Sequence, residues 1–357
     1  MASAYERTGA ARYRELANIM GIERTKDVPI GDHGWRLQSC NAFDVDEHAA
    51  HLTNWRQQYD QLSAGSFEGQ LDELHAGDAQ VYRERTSQAL RQRCEVWGEA
   101  VWCGITVLRG DGSRINGRMV GGDGVMVCGR AAGFELVSPA GHDILGVVLT
   151  RSALHDHARA LGARISWPLL DQAPWLAVRP EQRQLARARL RNILAAAVSA
   201  GVERPPLAAQ ESLRLSMLDV VTDLLEAPAI PAESRCNATT RRRLVARVHD
   251  WLQAEPERAP TVPELCQRLN VSRRTLQYAF EAEVAMCPKA YLRSVRLNGV
   301  RRALRAGHIG HCTVQTVAAQ WGFWNLSQFA CDYRQQFGER PSDTLARRQP
   351  KPLRCRR

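Results

Sequence analysis

Between Thr261 and Leu345 the chain repeats one phrase, and this constrains its fold more than any other feature. The first copy is TVPELCQRLNVSRRTLQYAFEAE, from Thr261 to Glu283, and the second is TVQTVAAQWGFWNLSQFACDYRQQFG, from Thr313 to Gly338. Each opens on Thr-Val, runs through a short apolar helix, turns at a polar or glycine site, and starts a second helix with a hydrogen-bonding outer face. The offset is steady: 52 residues from Val262 to Val314, and 53 both from Ser272 to Asn325 and from Phe280 to Tyr333. Such self-similarity is a statement about architecture. Two helix-turn-helix heads on one chain can grip two successive major grooves without needing a dimer.

The second helix of each head places its early, outward residues against base edges. In the first copy Ser272 is the expected N-cap after a turn at Asn270, and Leu276 and Phe280 face inward. Arg273, Arg274, Thr275, Gln277 and Tyr278 are left outward, with Ser272, as candidate DNA contacts; Arg suits guanine, Gln suits adenine, and Thr suits a phosphate or a thymine methyl. In the second copy Asn325 is the expected N-cap, and Phe329 and Tyr333 face inward. Trp324, Asn325, Ser327 and Gln328 are the candidate contacts, with Arg334 as an addition. Pro288–Ala306 reads as one continuous connecting helix, roughly 27 Å long, a strut for heads about 34 Å apart on DNA. Arg293, Arg296, Arg301, Arg302 and Arg305 decorate its other faces and are expected largely as a solvated surface.

Charge agrees with a polyanion-binding C-terminal third. From residue 236 onward there are 22 Lys+Arg against 9 Asp+Glu, a balance of +13, whereas the whole chain carries +10. The rest is therefore mildly acidic, at −3. Arginine predominates, which favours bidentate contacts to phosphate and guanine. The ten cysteines are scattered singly with no Cys-x-x-Cys pair, as expected of small buried hydrophobes in a reducing compartment. The first twenty residues carry charges throughout, and no apolar run approaches membrane-spanning length. A cytoplasmic location without membrane association is the expectation.

Composition divides the chain into a polar segment over 1–50, a sensor domain over 51–226, a linker over 227–239, a DNA-binding domain over 240–345 and a basic tail over 346–357. About eight strand-like runs lie between Phe67 and Leu149, broken by Ala76-Gly77-Asp78, Gly110-Asp111-Gly112-Ser113 and Gly121-Gly122-Asp123-Gly124. Their spacing suggests a closed or sandwiched antiparallel sheet. Leu52–Leu62 has the periodicity of a short amphipathic helix, and Ser152–Leu161, Gln182–Ala200 and Leu207–Glu226 read as helices. The fold class expected is α+β, with an antiparallel, β-barrel-like (cupin-like) sensor domain bearing helices, followed by an all-α domain with two helix-turn-helix motifs.

The stretch Thr240–Leu345 resembles the DNA-binding domain of the AraC/XylS family of transcription regulators. The resemblance rests on Ser272-Arg273-Arg274-Thr275-Leu276, Pro288-Lys289-Ala290-Tyr291-Leu292, Arg296-Leu297, Ala318-Ala319, Gly322-Phe323, Ser327-Gln328-Phe329 and Phe337-Gly338-Glu339-Arg340-Pro341-Ser342. Cys331 departs from it, standing where many relatives carry a basic residue. Trp55–Leu62, Gly65–Gly69, Ala89–Gln92, Ile144–Leu149 and Phe323-Trp324 are similar to regulators of ethanolamine operons within that family. The resemblance implies an activator that engages double-stranded promoter DNA and RNA polymerase, with ethanolamine and adenosylcobalamin as effectors rather than catalytic cofactors. It leaves a homodimer open, with ligand binding changing the dimer or interdomain arrangement.

Two alternatives stand beside this reading. One is a regulator of another catabolic or stress operon with a different small-molecule effector. The other is a metal-dependent barrel enzyme with a DNA-binding appendage. For the enzyme, His75, His142, His155 and His157 are the available histidines. His155 and His157 lie two apart on a helix and so point away from each other; all four are expected as surface or capping residues, with no metal site and no catalytic residue. Trp97, Trp102 and Tyr82 fit either an effector pocket or aromatic core packing.

Overall fold

A computed structural model describes residues 35–129, 133–199, 205–226, 230–231, 237–306 and 313–347. The chain opens with strand β1 (Trp35–Ala42), helix α1 (Val45–Ala49) and β2 (Arg56–Gln61), followed by β3 (Gly69–Ala76), β4 (Ala79–Thr86), β5 (Leu90–Glu95) and β6 (Ala100–Thr106). Then come β7 (Arg114–Ile115), β8 (Arg118–Met119), β9 (Gly124–Cys128), β10 (Phe134–Ser138) and β11 (His142–Thr150). Helices α2 (Arg151–Leu161) and α3 (Trp167–Gln172) precede β12 (Trp175–Ala177), α4 (Pro180–Ser199), α5 (Leu207–Glu226) and β13 (Ile230–Pro231). The C-terminal part consists of α6 (Asn237–Ala254), α7 (Val262–Leu269), α8 (Arg273–Val284), α9 (Pro288–Ala306), α10 (Val314–Gln320), α11 (Leu326–Phe337) and α12 (Pro341–Ala346).

The strands form two antiparallel sheets, ordered β1-β3-β4-β11-β6-β9-β12-β13 and β2-β5-β10-β7-β8. Side-chain alternation along a strand explains how the layers stack. Tyr82, Trp102, Ile144 and Val148 of the larger sheet meet Tyr59, Leu90, Cys94, Phe134 and Leu136 of the smaller one in a single core. The opposite face of the larger sheet carries Val81, Val101, Cys103, Ile105, Leu145 and Val147, and packs on α4 and α5 through Leu190, Leu194, Met217 and Val221. Both faces of β6 and β11 are therefore buried, which is why they read as continuous apolar runs. The outer face of the smaller sheet is covered by the C-terminal helices: Leu62 and Val137 share a core with Val248, Leu276, Phe280 and Tyr291. The stack is thus helices, sheet, sheet, C-terminal helices.

The expected barrel is not there. Among the described residues no strand pairing joins the two sheets, so the domain is an open sandwich. Regular strand spacing gives the number of strands but not whether their margins meet. Here α1 and the turn after it carry the chain from β1 in one sheet to β2 in the other. Val45, Ala49, Leu52 and Trp55 from that connection fill the gap between the sheet margins, while β12 and β13 prolong the opposite margin past β9.

Two local expectations also change. The helix expected over Leu52–Leu62 is largely strand β2, paired along its length with β5. Leu52, Trp55, Tyr59 and Leu62 imitate a helical stripe, yet they are buried from a turn and a strand. Ile115–Val120 is a tight hairpin rather than one strand, turning at Asn116 (φ 49°) and Gly117 (φ 74°). Paired positive φ values suit Asn-Gly. Strand β1 and helix α1 lie in the stretch expected as a polar segment. Most of the linker expected at 227–239 and of the tail at 346–357 falls outside the described residues.

Candidate nucleic-acid interface

The first head forms as its sequence dictates. Thr261 and Glu264 make a reciprocal capping box at the start of α7, satisfying amides that a helix start leaves unpaired. Asn270 then takes a left-handed conformation (φ 52°) and ends α7. The Ser272 hydroxyl accepts from the Thr275 amide at 3.0 Å, capping α8. Leu276 and Phe280 are fully buried. Ser272, Arg273, Arg274, Thr275, Gln277 and Tyr278 are all exposed on one side of the start of α8. Tyr278 is 60% exposed and lies under the Arg241 guanidinium, 5.4 Å from its ring centre. The Gln277 amide donates to Glu281 at 3.0 Å, an exposed carboxylate on the same face that the sequence reading passed over.

The second head repeats the pattern with different chemistry. Thr313 caps α10, Gly322 turns the chain at φ 71°, and the Asn325 side chain accepts from the Gln328 amide at 3.0 Å. Phe329 and Tyr333 are buried, whereas Trp324 is 78% exposed. Asn325, Ser327 and Gln328 are exposed beside it, and Gln328 donates to Asp332 at 2.6 Å. Cys331, expected with the other cysteines as a small buried hydrophobe, is exposed. The two heads thus bring the ten sequence-predicted residues to the first turns of α8 and α11. One face is rich in charge, the other in aromatic and amide groups.

Helix α9 joins the heads and spans the interval expected of the strut. It packs against the second head so closely at Gly299 that a Cβ there would lie 2.1 Å from the Trp321 ring. Its arginines are not the solvated surface expected. Arg296 donates to the Trp321 and Gly322 carbonyls at 2.8 and 2.7 Å, and Arg293 pairs with Asp332. Arg301 donates to Asp44 and Glu339, each at 2.7 Å. Arg302 reaches Asp46 and Asp60, each at 2.8 Å, and Arg305 reaches Asp44 at 2.9 Å. Burial by itself would raise the Asp44 pKa, but Arg301 and Arg305 outweigh it and hold the carboxyl below its usual range. The +13 region thus spends part of its charge on the acidic N-terminal domain.

More of the smaller sheet touches the C-terminal helices. Asn298 accepts from the Gln61 amide at 3.0 Å and donates to the Gln61 carbonyl at 2.9 Å. Arg91, buried on β5, bonds Glu135 at 2.5 Å and His249 of α6 at 2.7 Å. Burial and the Arg91 charge push the His249 pKa well down, so its ring is neutral and Nδ1 serves as an acceptor. Arg114 donates to the Ala282 carbonyl near the end of α8 at 2.9 Å. The Gly65 amide reaches the Gln335 and Gln336 carbonyls near the end of α11 at 3.2 and 3.1 Å.

Inside the sandwich Tyr82 and Trp102 are core, and Trp97 is half-buried against it. Trp102 stacks on Phe134 at 4.2 Å between ring centres and donates to the Tyr82 hydroxyl at 2.8 Å; Trp97 donates to Gln80 at 3.1 Å. A buried polar cluster lies beside them: Glu84 meets His48 at 3.0 Å and accepts from the Tyr59 hydroxyl at 2.9 Å. Of the histidines expected at the surface, His142 is instead buried against Asp111 at 2.9 Å, and His157 pairs with Asp219 at 2.7 Å. Among the described residues no group of three or more His, Cys, Asp or Glu could hold a metal ion. No helix among them is long and apolar enough to cross a membrane.

Residues 265–347 match a family model described as a helix-turn-helix domain. The regulatory protein HrpB of Ralstonia nicotianae is 32% identical over 142 residues, covering 39% of this chain and 30% of that protein. The XylDLEGF operon transcriptional activator 1 of Pseudomonas putida is 34% identical over 107 residues, covering 30% of this chain and 32% of that protein. The alignments therefore span 30% and 32% of these relatives' own length. The AraC-like transcriptional activator CuxR superposes with a TM-score of 0.37 at 14% identity, over 73% of this chain and 94% of that one, a likeness too weak to carry an argument. The C-terminal region thus matches a helix-turn-helix domain and is similar over about a hundred residues to transcriptional activators of the XylDLEGF operon.

Proposed function

We propose that this chain is a sequence-specific transcription activator of the AraC/XylS type that controls a catabolic or stress operon in response to a small molecule. The observation that carries the reading is the pair of exposed helix starts, at α8 and α11, joined by one strut. The N-terminal sandwich is the sensor, promoter DNA and RNA polymerase are the partners, and a homodimer is compatible with the arrangement. Ser272, Arg273, Arg274, Thr275, Gln277 and Tyr278 read one groove, and Trp324, Asn325, Ser327 and Gln328 read the next.

Ethanolamine with adenosylcobalamin is the narrower effector reading, and it rests on sequence resemblance in the N-terminal domain. Several residues that carry this resemblance, among them Trp55, Tyr59, Ile144 and Val148, are buried in the sandwich core. They speak for a shared scaffold more than for a shared ligand, and so favour the broader statement. A thermal-shift titration of the full chain with each compound separates the two: stabilisation by either supports the ethanolamine reading, and no shift with both removes it. Binding to its own neighbouring promoter, followed by footprinting, tests the broader reading.

A further inference from the structure

The last four carbonyls of any helix lack partners within that helix, and in both recognition helices part of this deficit is met by the N-terminal domain. At the end of α8 the Ala282 carbonyl accepts from Arg114 Nε at 2.9 Å. At the end of α11 the Gln336 carbonyl accepts from Gln61 Nε2 at 2.7 Å and from the Gly65 amide at 3.1 Å, and Gly65 also reaches the Gln335 carbonyl. The approach is close: a Cβ on Gly338 would lie 2.1 Å from Ser66 Oγ. Gly65 presents its amide from φ 123°, a conformation that side chains other than glycine's rarely allow. All these donors belong to the smaller sheet or to the loop following its edge strand, and that sheet also grips the strut between the heads through Asp60. At the opposite ends of both recognition helices the reading residues remain exposed.

We propose that the smaller sheet is a jig for DNA reading, with Gln61, Gly65 and Arg114 as positioning residues that cap both recognition helices from the neighbouring domain and fix their mutual spacing and tilt. A lid that opposed DNA binding would cover the reading ends; this contact holds the two helices by their far ends. The docked arrangement is therefore the DNA-reading form, and loosening it turns one two-headed grip into two loosely coupled ones. Since the second head's binding then loses its high effective concentration, the penalty falls on two-site DNA alone.

This inference rests on the DNA-reading function proposed above, and the test separates the two. The full chain is used to select a site from random-sequence DNA, and affinity is measured on that site and on a version with one half scrambled. Arg114→Ala and Gln61→Glu, each checked by a cooperative melt, are expected to bind the intact site about tenfold more weakly while matching the native chain on the half-scrambled one. Arg114→Lys, which keeps a donor, is expected to recover part of the loss. Gln61 is buried, so if its variant does not fold, the Arg114 pair of variants decides alone. Variants that bind the intact site as tightly as the native chain, or more tightly, overturn the jig and leave DNA reading intact. A native chain that selects no DNA overturns both.

Discussion

Arg301 donates to Asp44 across 2.7 Å, and the two residues are 6% and 2% exposed although they stand 257 residues apart in sequence. The pair ties the strut between the two heads to the first helix of the sandwich. Taking a charge pair out of water is costly, and removing one member strands the other in a poorly solvating site. Asp44→Ala leaves Arg301 with Glu339 as its remaining carboxylate and also removes the side-chain cap of α1, so a loss of about 3 kcal/mol, the lower end for breaking a buried pair, is expected in urea unfolding. Asp143→Ala breaks the more exposed Arg83–Asp143 pair, 2.6 Å long, and is expected to cost at most about 1 kcal/mol. Equal costs would show that burial of the first pair has no energetic consequence.

Glu283, near the end of α8, gives the stability a pH dependence of definite sign. Burial pushes its carboxyl up to about 7, against the lowering influence of Arg241, and its Oε1 lacks a hydrogen-bond partner. A folded-state pKa above the unfolded value of 4.5 means that the associated stability is full below pH 4.5 and is lost as pH rises through 7. Full conversion of the shift gives an upper bound of about 3 kcal/mol. Glu283→Gln is expected to melt higher than the native chain at pH 8 and close to it at pH 5. A native advantage at pH 8 would mean that the Arg241 pairing outweighs the burial.

On the proposed function, base reading is expected to divide unequally between the heads. Arg274 and Gln277 offer directed hydrogen bonds to bases, and each alanine variant is expected to lose about 1–3 kcal/mol at its preferred base while keeping the general fold. The check is affinity across a set of single-base substitutions in the selected site. Selectivity that survives both changes would remove these side chains from base reading.

The local parts of this architecture were legible in the sequence because their causes are local. Ser272 and Asn325 cap helices through side-chain oxygens three residues from the amides they accept from, and Asn270 turns through its own φ. Leu276, Phe280, Phe329 and Tyr333 announce their burial by spacing alone. What could not be read depends on distant partners. Arg301, Arg302 and Arg305 look like a solvated basic face until Asp44, Asp46 and Asp60 are folded against them. Tyr59 and Leu62 fit a helical stripe as well as a buried strand edge, and only pairing with β5 decides between them. Closure of a sheet is likewise a property of its margins, which is why a regular run of strands suggested a barrel where α1 and Trp55 fill an open side.

Two reading heads on one chain are the central claim, and hydroxyl-radical footprinting of the full chain on its selected DNA tests it most directly. The result expected is two protected patches on one face of the duplex, separated by about 10 base pairs. With Arg274→Ala one patch should weaken while the other persists. A single patch that no substitution in α8 or α11 can divide would contradict the claim.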